Sequence, residues 1–424
     1  MAASETDSAI KAVFRIEWAR LVAALVRLTR DVGAAEELAQ DALVAALEHW
    51  PASGVPDNPG AWLMATARNA GLNRIRRDKL LARKRAEIAA EIDDAPGTDE
   101  RAAALEAALD DDVGDDVLRL MFTACHPALS TEAQVALTLR LLGGLTTDEI
   151  ARAFLTPEPT IAQRIVRAKR TLAEKKVPFE IPRGDELRPR LAAVLDVIYL
   201  IFNEGYAATA GEDLMRPALT EEALRLGRVL AGLAPDEPEA LGLLALMELT
   251  ASRAAARTDA AGDPILLLDQ NRALWDQLLI RRGLLALEQA AAPGRSAGPY
   301  RLQAEIAACH ARARTAAATE WEQIAALYGQ LAALVRSPVV ELNRALAVAM
   351  AQGPQAGLAI LDALAAEPAL AGYHLLPSAR ADLLAKLGRA IEARAEFERA
   401  AALTRNQRQR ERLLARAAKL ARGE

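Results

Sequence analysis

Six polar side chains fall within eleven residues in the stretch GGLTTDEIARAFLTPEPTIAQRIVRAKRTL: Thr160, Gln163, Arg164, Arg167, Lys169 and Arg170. Gln and Arg pair with base edges in the DNA major groove, and Lys and Arg neutralise phosphate, so this set has the chemistry to read a duplex. The same stretch specifies the elements that would present it. Thr146 followed by Glu149 is a capping box, which predicts a short helix with Ile150, Ala151 and Phe154 on its inner face. Pro157 and Pro159 are tolerated only before or within a first helical turn, because proline lacks the N–H and clashes deeper inside. A second helix must therefore begin between Pro157 and Thr160. Within it Ile161, Ile165, Ala168 and Leu172 recur at spacings of 4, 3 and 4, a buried stripe that turns the polar set outward. This is a helix-turn-helix pattern with a basic second helix. Taken alone, it also fits a helical hairpin with a solvated basic face.

A second polar set lies nearer the N-terminus. In AWLMATARNAGLNRIRR, Trp62, Leu63, Ala67 and Ile75 form an inner face, while Arg68, Asn69, Asn73, Arg76 and Arg77 lie outside it. Asn58 and Pro59 predict the cap and first position of this helix. The preceding PASGVPDNPG, entered from Trp50, is read as an irregular loop. Two helices come earlier. One carries the stripe Ile10, Phe14, Trp18, Leu21, Leu25 and Leu28. The other, GAAEELAQDALVAALEHW, turns Leu38, Ala42, Ala45 and Ala46 inward and Glu37, Gln40 and Asp41 elsewhere.

The chain has 424 residues, 52% hydrophobic but only 4% aromatic. Apolar content carried by Ala, Leu, Val and Ile predicts an all-α protein. The net charge of -5 excludes a globally basic nucleic-acid binder, yet it is unevenly spread. Basic residues dominate between Trp62 and Arg85, and again from Arg164 to Lys176. Residues 86–116 between them are acidic, with Asp110, Asp111, Asp112, Asp115 and Asp116 closing the run. No apolar run approaches the ~20 residues of a membrane span, and MAASETDSAI is not a basic and apolar leader, so a soluble cytoplasmic protein without membrane contact is expected. Two cysteines and four histidines exclude a disulfide scaffold and a Cys-rich zinc cluster. Cys125 beside His126 is read as a packed thiol near a helix end. No metal and no cofactor is expected. Without a Gly-rich phosphate loop or a nucleophile elbow, the chain does not read as an enzyme.

These motifs, in this order, resemble the sigma-70 family and within it the extracytoplasmic-function (ECF) group. AEELAQDAL at residues 35–43 resembles the clamp-binding helix of region two. Trp62–Leu63, Ala67–Arg68–Asn69 and Arg76–Arg77 resemble the helix that captures the −10 element. Residues 144–172 resemble the helix-turn-helix of region four. The resemblance implies partners, core RNA polymerase and promoter DNA, and a role for each set. Glu37, Leu38, Gln40 and Asp41 would bind the polymerase clamp. The loop from Trp50 to Pro59 would hold a flipped −10 base. Trp62, Arg68, Asn69, Asn73, Arg76 and Arg77 would hold the −10 strand. Thr160, Gln163, Arg164 and Arg167, with Lys169 and Arg170, would engage the −35 element. The implied domains are region two over 1–85, an acidic linker over 86–116, region four over 117–178 and a helical regulatory domain over 186–424. As a free coil the 31-residue linker would average ~30 Å, against ~60 Å for a 17-base-pair promoter spacer. It must therefore be stretched on a scaffold, and the polymerase's basic nucleic-acid channel is the expected one.

After Pro178, Pro182, Gly184 and Pro189 the chain continues as an Ala- and Leu-rich tail. In GRAIEARAEFERAAAL, Gly388, Ala393, Phe397 and Ala400 fall at the spacings of a tetratricopeptide (TPR) repeat's second helix. Ala356, Ile360, Ala363 and Pro368 suggest a degenerate repeat before it, and Trp321 to Pro338 the second helix of another. A TPR-like solenoid is predicted, resembling the ECF subgroup with such an extension. It would modulate activity through a protein or small-ligand partner. YLIFNEGY at residues 199–206 has two readings: Phe202 and Tyr206 pack the tail's first helix, or Asn203, Glu204 and Tyr206 form a regulatory contact. Competing functions are a stand-alone helix-turn-helix regulator with a TPR-like sensor, and a protein-binding scaffold with no DNA role.

Overall fold

The structure is a computed structural model, and it describes residues 2–73, 113–154, 156–207, 215–259, 264–292, 294, 296–404 and 406–421. Arg76, Arg77 and residues 86–112 of the acidic connector lie outside the described residues. The fold is all-α: among the described residues there is no β-strand, only an isolated bridge between Thr258 and Pro264. No helix among them is long and apolar enough to cross a membrane. The chain divides into two compact units, Met1–Ile198 and Tyr199–Glu424.

The first unit begins with α1 (Ala2–Thr29), α2 (Val32–Ser53) and α3 (59–73). It continues with α4 (Val113–Ala124), α5 (Thr131–Leu141), α6 (Thr147–Ala153) and α7 (Glu158–Glu174). The apolar stripe of α1 explains its place: Trp18, Leu21 and Leu25 are buried, and α1 packs against α2, α4 and α5. Asp31 caps α2 by accepting the Ala34 N–H at 2.8 Å. Asn58 does the same for α3, accepting from Ala61 at 3.0 Å, as the cap chemistry predicts.

The segment between α2 and α3 corrects one expectation. Helix α2 runs past Trp50 to Ser53 with Pro51 in its last turn, and Gly54 ends it at φ 83. The irregular loop is therefore shorter than the Pro- and Gly-rich composition suggests. Trp50 belongs to the core, 2% exposed and edge-on to Trp62 with ring centroids 5.3 Å apart. Burial of so large an apolar ring outweighs the turn propensity of the residues after it.

Helix α8 (Leu187–Tyr206) contains the division between the units. The second unit then holds α9 (Pro217–Leu233), α10 (Pro238–Ala251), α11 (Gln277–Ala290), α12 (Pro299–Arg312) and α13 (Trp321–Leu334). After these come α14 (Pro338–Gln352), α15 (Pro354–Leu364), α16 (Leu375–Lys386), α17 (Ala390–Leu403) and α18 (Gln407–Ala421). From α9 onward each helix packs on the next. Several begin on proline, whose missing N–H costs nothing in a first turn. The predicted stripe Ala393, Phe397 and Ala400 is buried, and Gly388 before it turns at φ 75. The earlier stripe is shifted by a residue: Gly357, Leu358 and Leu361 face inward, whereas Ala363 is exposed. Gly357 decides the register, since a Cβ there would meet the Ala349 Cβ at 2.4 Å and the Ala345 carbonyl at 2.5 Å.

Candidate nucleic-acid interface

The helix-turn-helix forms as the local chemistry requires. Thr146 Oγ1 accepts the Glu149 N–H at 3.2 Å while Glu149 Oε2 accepts the Thr146 N–H at 2.8 Å, completing the capping box. Helix α7 starts after Pro157, and Ile161, Ile165, Ala168 and Leu172 are its buried residues. That burial sends Thr160, Gln163, Arg164 and Arg167 to the other side. They line one groove of about 370 Å³ together with Ser130 and Ala133 at the N-terminus of α5. Glu132 of α5 is near enough to feel the Arg164 charge. That carboxyl is held below its usual range by a backbone hydrogen bond first, then by Ser130, with Arg164 adding to the effect.

Lys169 and Arg170 do not join this groove. At 100° per residue Lys169 stands about 180° around α7 from Thr160. It forms an ion pair with Glu36 of α2 instead. Arg170 stands within about 20° of Gln163 around α7, exposed and paired to Glu174 one turn on at 2.6 Å. Of the six side chains, Lys169 is the one that turns to the opposite side of the helix.

Of the clamp-directed set, Glu37 and Asp41 are exposed and Gln40 half-buried, its amide donating to Glu36 at 3.2 Å. Leu38 is 3% exposed and packs in the core, so it holds the helix that carries the other three. On α3, Asn69 and Asn73 are exposed, Arg68 and Trp62 half-buried, and Leu63 and Ala67 lie inside. The C-terminal trio separates as well. Asn203 is exposed, Glu204 is paired with Arg216, and Tyr206 stacks on Phe202 at 5.7 Å beneath the Arg257 guanidinium. These partners fit the packing reading of YLIFNEGY.

Pattern reading missed Glu36 and Arg140. Glu36 is 4% exposed, yet it accepts Arg140 Nε at 2.6 Å as well as pairing with Lys169. Arg140 also donates to the Leu145 carbonyl at 3.0 Å, and its own carbonyl accepts the Trp18 indole N–H at 2.9 Å. Glu36 adjoins Glu37 in a run of identical chemistry, so no periodicity marks which of the two faces inward.

Cys125 sits just past α4, fully buried, with Sγ 3.5 Å from Thr138 Oγ1. Burial pushes its thiol up to about 12 despite the Thr138 hydrogen bond and the nearby Arg190. It is a packed thiol and no nucleophile.

An exposed basic helix set on a capped partner helix has the form of a helix-turn-helix. Comparison with known proteins sharpens the class. Residues 17–80 match the model for Sigma-70 region 2, residues 119–172 that for Sigma-70, region 4, and residues 190–291 that for a family of unknown function, DUF6596. A protein of Rhizobium meliloti (strain 1021), described only as uncharacterized, is 45% identical over 384 residues, which is 90% of this chain and 89% of that protein. No solved structure matches. The chain belongs to the sigma-70 family. The two sigma-70 matches support a role in promoter recognition and imply core RNA polymerase and promoter DNA as partners.

Proposed function

We propose that the protein is an ECF-type sigma factor in which α7 reads the −35 element through Thr160, Gln163, Arg164 and Arg167. The observation that carries the reading is the convergence of those four side chains on one groove. Arg164 and Arg167 supply base-edge and phosphate contacts, and Thr160 and Gln163 supply neutral hydrogen bonds at the N-terminal end of the helix that enters the groove. Helix α3 captures the −10 strand with Arg68, Asn69 and Asn73, joined by Trp62, Arg76 and Arg77. The clamp surface on α2 is Glu37, Gln40 and Asp41. In this reading the division of labour follows domain limits near 1–85, 117–178 and 186–424, with the acidic connector between the first two lying in the polymerase's nucleic-acid channel.

The sequential packing of α9 to α18 supports a TPR-like extension that modulates initiation. Run-off transcription with purified core enzyme tests the proposal. Full-length protein should direct initiation from one defined start, and the double variant Arg164→Ala, Arg167→Ala should not. Tight binding of a −35 duplex without core, and no transcript with it, would instead identify a stand-alone regulator. A chain ending at Ala207 should change the transcript yield if the extension modulates it.

A further inference from the structure

The C-terminal unit gathers arginines around one tryptophan, and among the described residues no acid forms an ion pair with them. The guanidinium carbons of Arg253 and Arg272 lie 5.9 and 4.8 Å from the Trp275 ring centroid. Arg272 is committed to protein: Nη1 donates to the carbonyls of His310 and Ala313 at 2.6 and 2.7 Å, and Nη2 to Thr319 Oγ1 at 3.1 Å. Arg257 nearby donates to the Tyr206 carbonyl. Arg253 makes no such hydrogen bond. Its Nε, like that of Arg272, is buried without a partner, and among the described residues no acid pairs with it.

Its surroundings are equally open. Trp275 is 3% exposed and its indole N–H has no acceptor. His310 is 8% exposed, packs edge-on against Trp321 at 5.2 Å, and has an unpartnered Nδ1. Burial, then Arg253, then Arg272 hold its imidazole down to about 4, so it is neutral at neutral pH. Arg257 and Arg272 are each lowered by burial and then by Arg253. Like charges thus crowd a partly dry site in which several polar atoms are unsatisfied. Folded proteins seldom leave a half-buried cation in that condition, and a bound oxyanion would correct every part of it. Guanidinium groups take carboxylate or phosphate through paired N–H donors.

We propose that Arg253, Arg272, Trp275 and His310 form a binding site for a small oxyanion of the carboxylate or phosphate class, with Arg253 as its principal counter-charge. The indole N–H of Trp275 and a neutral Nδ1–H on His310 complete the donor set. The inference goes beyond promoter recognition and does not depend on it, because its readout is binding alone.

The test uses the full-length chain with sodium phosphate and trisodium citrate as probes, against sodium chloride at equal ionic strength. Calorimetric titration and the thermal midpoint are followed. One or both oxyanions should bind and raise the midpoint beyond chloride, and which one does so assigns the phosphate or the carboxylate class. Arg253→Gln, which removes no hydrogen bond within the protein, should weaken binding by about tenfold or more, with Arg253→Lys intermediate. Arg281→Gln, an exposed charge on α11, should bind as the parent does. The proposal is overturned if neither oxyanion exceeds chloride, or if Arg253→Gln binds as tightly as the parent.

Discussion

Glu36 and Arg140, 104 residues apart in sequence, meet at 2.6 Å and hold α2 to α5. Lys169 closes on the same carboxylate from α7, so a single buried acid ties together three helices, one from the region-two match and two from the region-four match. Removing one partner of a buried ion pair costs more than the pair contributes, because the opposing charges stay buried without compensation. Glu36→Ala should therefore destabilise the first unit by about 3–5 kcal/mol, and Glu36→Gln by less. Urea unfolding followed by far-UV circular dichroism measures both, and a change under ~1 kcal/mol would show the network to be incidental.

The same network packs the two promoter-reading regions together, whereas a 17-base-pair spacer holds promoter elements ~60 Å apart. Val44 on α2 and Val166 on α7 are 51% and 63% exposed, so they accept labels without disturbing the core. Energy transfer between dyes at these positions should be high in the free protein and fall in the promoter complex with core enzyme. Unchanged transfer would mean that the regions need not separate.

Arg164 and Arg167 line the groove, whereas Arg170, on the same side of α7, is paired to Glu174 at 2.6 Å. Arg164→Ala and Arg167→Ala should each weaken promoter binding by about 1–3 kcal/mol. A variant that loses a phosphate contact should also lower the slope of log affinity against log salt by ~0.9. Arg170→Ala should weaken promoter binding by less, because its guanidinium is already paired to Glu174 in the free protein. Filter binding over a salt series separates the three.

Both cysteines are buried, and burial raises each thiol above its usual range, Cys125 to about 12. Native protein at pH 8 should react with neither equivalent of an aromatic disulfide reagent, and both should react once denaturant is added. Rapid labelling of the native chain would contradict the packing at α4 and α12.

His310 sets a pH dependence for the second unit. The groups around it are Arg253 and Arg272, both cationic, and the neutral Trp321 ring. Its folded pKa of about 4 lies below the usual 6.5, so below pH 6.5 the unfolded state binds the proton more readily. The stability from a neutral His310 is thus complete above pH 6.5 and is lost as pH falls toward 4, about 3 kcal/mol in all. His310→Asn should flatten that limb in thermal melts between pH 4 and 7. An unaltered pH profile would place the acid sensitivity elsewhere.

Much of the site was legible because it is local. Thr146 and Glu149 make a cap across one turn, Pro157 and Pro159 can only start a helix, and Ile161, Ile165, Ala168 and Leu172 share a face by the helical repeat alone. Lys169 was grouped with the basic face by charge, whereas its angular position on α7 turns it toward Glu36. Trp50 was misplaced because turn-forming neighbours outvoted it, and only its contact with Trp62 shows where the ring goes.

The sequence by itself determined the all-helical class, the order of the two sigma-like modules and the buried stripe that turns the polar side chains of α7 outward, since each follows from propensity, capping or spacing over a few residues. Only the tertiary structure decided that Glu36 faces inward while Glu37 faces out, and that Arg253 stands over Trp275 with no acid paired to it among the described residues. Those facts depend on which distant helix supplies the neighbour. Burial and pairing are properties of a contact, and no periodicity within one helix carries them.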